Sequence, residues 1–258
     1  MKIEVLYPEI ANLFRDLANI RYISGSITNC EIINTDLKSK PEFLNPSSAV
    51  DLVYMGTMTE NSQVIAMDHL EPYTEEIRQA IESGTRFLFI GNALELFAKE
   101  IIDLDDAPYS REISRFDSAS ARTKCLGLFD ITVTREIMHR LNSLYLGTYS
   151  GMDGEPVEIV GFKSVFSYAK ANTEIPPLFD TVRGPGLDKS LSGEGIHYKN
   201  FMGTYLTGPL MQLNPLFMIK LLKEMGETDV NPPAMEAAME AYEQRLTEFK
   251  NPNLNYIL

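Results

Sequence analysis

The chain has 258 residues, 44% of them hydrophobic, enough to bury one sizeable core. Its 23 basic and 36 acidic residues leave a formal net charge of -13, which disfavours nucleic acid and anionic membrane surfaces as partners. Two cysteines, Cys30 and Cys125, are too few for a disulfide framework or a four-thiolate zinc site and suit a reducing compartment.

The opening MKIEVLYP carries no basic segment followed by an apolar core and a cleavage site, and no apolar run reaches membrane-spanning length. A cytoplasmic protein is expected. Ile3 to Tyr7 reads as a strand ended by Pro8, and Ile10, Leu13, Phe14, Leu17 and Ile20 follow at helical spacing. Cys30 to Ile33 predicts a second strand and Lys38 to Ser48, with its prolines, a loop. Asp51 to Met55 predicts a third strand, leaving through Gly56-Thr57-Met58 into a helix that reaches Leu70. Pro72 to Ser83 is a further helix, stopped by Gly84.

Arg86 to Phe97, RFLFIGNALELF, is the stretch on which the chain turns. Phe87 to Ile90 form a continuous apolar run, as in a parallel strand covered on both faces. Gly91 and Asn92 tolerate a left-handed backbone, and Ala93, Leu94, Leu96 and Phe97 then set a helical face. Such a strand-turn-helix elbow lifts a nucleophile above the sheet in several hydrolase and amidotransferase folds, yet no Ser, Cys or Thr stands here. Strands and helices alternate over the first hundred or so residues, which predicts an α/β fold, three-layered and doubly wound around a mostly parallel sheet. Either a single domain over 1–258 or two tightly packed lobes satisfies the pattern.

Beyond Asp103, strands are expected at Arg111 to Phe116, Ile131 to Ile137 and Val157 to Phe162, and a loop-rich crossing at Thr173 to Gly195. Asn214 is placed to cap a helix that starts at Pro215 and stops at Gly226. Pro232 and Pro233 open a last helix, Ala234 to Phe249, with Met235, Ala238, Met239, Tyr242 and Leu246 as an apolar stripe.

Taken together, LYPEIANLFRDLANI (Leu6 to Ile20), DLVYMGTMTENSQ (Asp51 to Gln63), the elbow, CLGLFD (Cys125 to Asp130), VEIVGF (Val157 to Phe162) and EGIHYKNFMGTYLTGPLMQLNP (Glu194 to Pro215) resemble the class I glutamine amidotransferase domains of the cobyric acid synthase type. That group includes the subunit that works with a Mur-ligase-like partner on peptidoglycan precursors. The resemblance implies a flavodoxin-like fold and a ligase- or synthetase-type partner subunit. It also implies a site from which the machinery has been removed. Where glutaminase-active members carry the cysteine of Cys-Gly-Gly-Tyr-Gln, this chain has Gly91. Where they carry the histidine of Gly-Thr-Tyr-Leu-His-Gly-Pro, it has Thr207. The Gly-rich run whose amides help hold the oxyanion is reduced to Gly56-Thr57-Met58. A glycine cannot form a glutamyl thioester.

Gly56, Asn92, Ala93, Glu95, His197, Tyr205 and Thr207 are therefore the candidates for a ligand pocket that takes glutamine or another small carboxylate without turnover. Cys125 reads as a buried small hydrophobe, and His69 and His139 have no evident partner. Arg111, Arg115 and Arg122 read as a solvated face or as groups that meet an acidic partner. Asp, Glu and His are not spaced as metal ligands, and no phosphate or dinucleotide fingerprint occurs, so neither metal nor cofactor is expected. The leading expectation is a degenerate amidotransferase-like subunit acting by binding, regulation or scaffolding. The alternatives are an enzyme of different chemistry on the same scaffold, or an active amidotransferase using non-standard residues.

Overall fold

A computed structural model describes residues 1–104, 116–117, 121–188 and 193–258, with backbone only at 116–117. The first part of the chain gives β1 (Lys2–Leu6), α1 (Leu17–Ser26), β2 (Glu31–Thr35), β3 (Leu52–Met55), α2 (Glu60–Leu70), α3 (Thr74–Ser83) and β4 (Arg86–Ile90). Then come β5 (Glu100–Asp103), β6 (Phe116–Asp117), β7 (Arg122–Lys124), β8 (Ile131–Arg135), β9 (Leu141–Tyr149), β10 (Val157–Val165) and β11 (Ser167–Ala171). The chain finishes with β12 (Phe179–Arg183), β13 (Gly193–Glu194), β14 (Ile196–Tyr198), β15 (Phe201–Thr204), α4 (Leu210–Leu213), α5 (Pro215–Glu224) and α6 (Met235–Lys250).

The central sheet has the order β14-β15-β4-β3-β1-β2. Its neighbours are parallel except the edge pair β14–β15. Side chains of the apolar β4 run divide by parity, as pleating requires. Phe87 and Phe89 join Val53 and Met55 under α2 and α3, whereas Leu88 and Ile90 join Tyr54 and Ile3 against α1, α4 and α5. Layers on both faces make the fold three-layered α/β, as the alternation of elements predicts.

Two smaller sheets lie beside it, β10-β9-β12-β13 and β11-β8-β5-β7-β6, antiparallel throughout apart from β5–β8. The mostly parallel character thus belongs to the central sheet alone. The long hairpin of β9 and β10 was only half anticipated, because Asn142, Ser143, Gly147 and Thr148 dilute the strand pattern of β9.

Several expectations change. The helix foreseen from Ile10 begins only at Leu17. Residues 8–16 instead fold over the exit of β3, with the Leu13 amide bonded to the Thr57 carbonyl at 2.9 Å, and Leu13 is 52% exposed. Gly91 to Phe97 forms a 3-10 helix rather than an α-helix. Its last carbonyls turn outward to residues 126–129, where Leu126 and Phe129 amides bond to Leu96 and Phe97, so no regular helix can propagate. Asn214 stands before Pro215 but does not cap α5. Fully buried, its side chain spends its bonds on the Val160 amide (2.8 Å), the Val160 carbonyl (2.9 Å) and the Leu210 carbonyl (2.9 Å). The strand foreseen at Arg111 to Phe116 lies outside the described residues apart from Phe116, and so do Arg111 and Arg115.

The α6 stripe is core, since Tyr242 and Phe249, with Met239 and Leu246, pack on Leu146, Val160 and Tyr256. Arg183 draws the following segment in, donating to the carbonyls of Phe249, Asn251 and Leu254 while stacking 4.3 Å from the Tyr256 ring centroid. Among the described residues no helix is long and apolar enough to cross a membrane.

Because Asn214 joins α4 and α5 to β10 through buried bonds, truncating it strands a buried amide and two carbonyls. Asn214→Ala should lower unfolding free energy by about 2–3 kcal/mol; Asn214→Ser, relieved of α-helix capping duty, should do no better. Denaturant titration would read this, and a loss under about 0.5 kcal/mol would refute the bridging role.

Candidate functional site

The site is built where β3 and β4 end side by side. Gly91 leaves β4 with φ +63, a left-handed conformation that glycine adopts without cost. An ideal Cβ at this position would lie 2.4 Å from Thr57 Oγ1 and 2.9 Å from its Cγ2. Thr57, itself buried, thus fills the space into which a side chain at the elbow would project.

The turn Gly56-Thr57-Met58 is closed from two sides. Asp16, fully buried, accepts from the Thr57 amide at 3.2 Å and from Thr57 Oγ1 at 3.3 Å, and it also holds the amides of Phe14 and Gly208. Gly56 admits this approach because it has no side chain; a Cβ there would meet the Ala11 carbonyl at 2.5 Å and Asp16 Cβ at 2.6 Å. From the other side, Asn92 Oδ1 accepts from the Met58 amide at 3.0 Å while its Nδ2 donates to the Met58 carbonyl at 2.9 Å. The Thr57 and Met58 amides are therefore spent on side chains of the same chain.

Behind the elbow lies a buried polar network. Glu95 Oε1 accepts from the Tyr205 hydroxyl (3.0 Å) and Oε2 from Gln63 Nε2 (2.8 Å), with Ser167 as a further donor. Gln63 in turn accepts from Arg135 Nη1 at 3.2 Å, and Arg135 forks onto Asp103 at 2.6 and 3.1 Å. Burial pushes the Glu95 carboxyl above its ordinary range against the opposing pull of Arg135. Burial likewise raises Asp16 and Glu4, the latter seated under β1 on the Thr35 hydroxyl and the amides of Glu42 and Phe43.

In front of this network opens a cavity of about 220 Å³, to which Asn92 and Glu95 contribute together with Thr57, Arg135 and Arg140. Tyr205 reaches it only through Glu95, and Gly56 and Ala93 are buried beneath it. Thr207 faces β10, its amide and hydroxyl both bonded to the Phe162 carbonyl at 2.9 and 3.3 Å. His197 does not converge on the elbow. It pairs with Met202 at the edge of the sheet, half-buried, and burial lowers its pKa against a smaller upward influence of Glu224, whose carbonyl accepts from Arg86 where β4 begins. Gly91 is where β4 ends.

Cys125 is buried in the apolar cluster with Leu126 and Phe129. His69 Nδ1 bonds with the Tyr7 hydroxyl at 2.8 Å, His139 stands exposed beside Glu136, and Arg122 pairs with Glu100 at 2.6 Å. Among the described residues no group of His, Cys, Asp and Glu is arranged to hold a metal. Sequence reasoning missed Asp16, Gln63, Asp103, Arg135 and Arg140. The one available signal was Arg135, a charge inside the otherwise apolar and β-branched run ITVTR.

The carboxyls of Glu4, Asp16 and Glu95 take protons more readily folded than unfolded, so between their ordinary values and the raised ones the folded state binds more protons. Their contribution is present in full at low pH and is lost as pH rises through the raised values. Melting temperature should therefore climb as pH falls from neutrality toward the ordinary carboxylate range, and Glu95→Gln should flatten the slope. A melting temperature that falls over that interval would contradict the assignment. Gly91→Ala, which forces a left-handed Ala against Thr57, should cost about 2–4 kcal/mol in denaturant unfolding, and Thr57→Gly should recover part of it.

A family model described as the CobB/CobQ-like glutamine amidotransferase domain matches residues 2–215. The subunit GatD of lipid II isoglutaminyl synthase (glutamine-hydrolyzing) from Streptococcus pneumoniae is 22% identical over 244 residues, 92% of this chain and 86% of that protein. The corresponding subunit from Staphylococcus aureus is 26% identical over 165 residues, covering 64% of this chain and 59% of that one. Among solved structures, PurLQS from Thermotoga maritima aligns over 95% of this chain and 98% of its own with a TM-score of 0.53 and 12% identity. A glutamine amidotransferase aligns over 86% and 98% with a TM-score of 0.52 and 10% identity. These two likenesses concern the fold.

Proposed function

The chain belongs to the CobB/CobQ-like glutamine amidotransferase domain family, and within it we propose that this protein is a degenerate subunit without glutaminase activity, acting by binding, regulation or scaffolding beside a ligase- or synthetase-type enzyme. The observation that carries the reading is the closure of the elbow from within. Attack on a carboxamide needs a nucleophile and free donors for the oxygen that becomes negative. Here position 91 has no side chain and Thr57 fills its place. The Thr57 and Met58 amides are held by Asp16 and Asn92.

The nature of the partner follows from the relatives, both of which are named as subunits of a glutamine-hydrolyzing lipid II isoglutaminyl synthase. Amidation of a cell-wall precursor is the pathway we assign on that basis, with the chain forming a single cytoplasmic domain. The chain carries the amidotransferase-type part of that pairing. The alternative of a different chemistry on the same scaffold needs His197 or a cysteine beside Gly91, and the placement of His197 near Glu224 gives it no support.

Purified protein given glutamine, alone and with its ligase-type partner, should release no ammonia above the blank. Gly91→Cys with Thr207→His should remain silent, because the new thiol would meet Thr57 and the oxyanion donors stay occupied. Steady ammonia release by the native chain, sensitive to mutation of Cys125 or His197, would overturn the proposal.

A further inference from the structure

The cavity in front of the elbow keeps a cation in reserve. Arg140 is exposed at its mouth, its guanidinium lying 4.3 Å from the Phe166 ring centroid and giving one weak bond, 3.3 Å, to Ser164 Oγ. Among the described residues it pairs with no carboxylate. That is uneconomical in a chain of net charge -13, and a ring stacked under a guanidinium leaves the outward N–H fork free for an anion. Three other polar groups of the cavity are engaged within the chain: Arg135 with Asp103 and Gln63, Glu95 with Tyr205 and Gln63, Asn92 with both backbone groups of Met58.

The lining is mixed, and Leu13, Phe14, Met58, Val165 and Phe166 give the space an apolar part beside Arg140. We infer that this cavity is a binding site for a small monocarboxylate with an apolar body, anchored by Arg140 stacked on Phe166. The inference rests on the reading of the elbow as inert, since the groups that would read a carboxamide are the ones already bonded within the chain. Glutamine is therefore a poor ligand. Glu60 at the rim selects against a second negative charge, and about 220 Å³ accommodates a body of the size of a phenyl or branched alkyl group.

The test is isothermal titration of the full chain with phenylacetate and 4-methylpentanoate, against phenylacetamide and glutamine. Both carboxylates should bind, with phenylacetamide weaker by roughly tenfold or more, as loss of a charge-assisted bond requires, and glutamine weaker because its ammonium and carboxamide replace the apolar body. Arg140→Gln should weaken carboxylate binding by roughly tenfold at unchanged melting temperature, and Arg140→Lys should restore part of it. Equal binding of phenylacetamide, unchanged affinity in Arg140→Gln, tighter binding of glutamine, or no carboxylate binding up to roughly 10 mM would each overturn the inference. Ammonia release is measured in the same samples. Its appearance would overturn the inert elbow, while carboxylate binding without it, or failure of binding without it, separates the two propositions.

Discussion

Much of this molecule hangs on one buried carboxylate. Asp16 ends the irregular run after β1 and ties it to the exit of β3 through Thr57 and to the loop before α4 through Gly208. A buried carboxylate is costly unless several donors surround it, and here backbone amides and a hydroxyl do so. The cost is shared by geometry: the approach needs Gly56 bare, Leu13 pulled onto the Thr57 carbonyl, and α1 delayed until Leu17. What would be an anion-binding nest for a ligand is thereby filled by the chain's own anion.

Much of the fold was legible because its signals are local. The apolar run of Phe87 to Ile90, the Gly84 stop and the Pro215 start each carry their own cause, and each element stands near where it was read. What escaped depends on partners far away in sequence. Nothing around Leu13 discloses that its amide will be spent on Thr57, so helical spacing of Ile10, Leu13, Phe14, Leu17 and Ile20 reads as a helix that tertiary bonds forbid. Asn214 looks like a cap for the same reason that it makes a good cross-link: an amide can face two ways, and only the position of Val160 decides.

The site was partly legible too. That Gly91 and Thr207 stand where the resemblance puts a cysteine and a histidine is visible in the linear text, but that Thr57 occupies the elbow and that Asn92 is turned back onto Met58 are facts of packing. Asn92 and Glu95 were singled out as groups that would greet a ligand; the structure engages them instead with the chain, and Arg140, which no motif marked, is a cation of the cavity that pairs with no carboxylate among the described residues. Burial of Arg135 with Asp103, Gln63 and Glu95 makes the floor of the cavity a rigid, fully bonded layer.

The contact between Thr57 and position 91 imposes an order on change. A side chain at the elbow strains against the threonine at 57, and one at 56 strains against Asp16 and the Ala11 carbonyl. A bulkier residue at 91 needs a smaller one at 57, a change that also removes the hydroxyl bonded to Asp16 and so loosens the loop over β3. Positions 57 and 91 are thus coupled like the two halves of a lock, and a change at either one alone crosses a less stable intermediate.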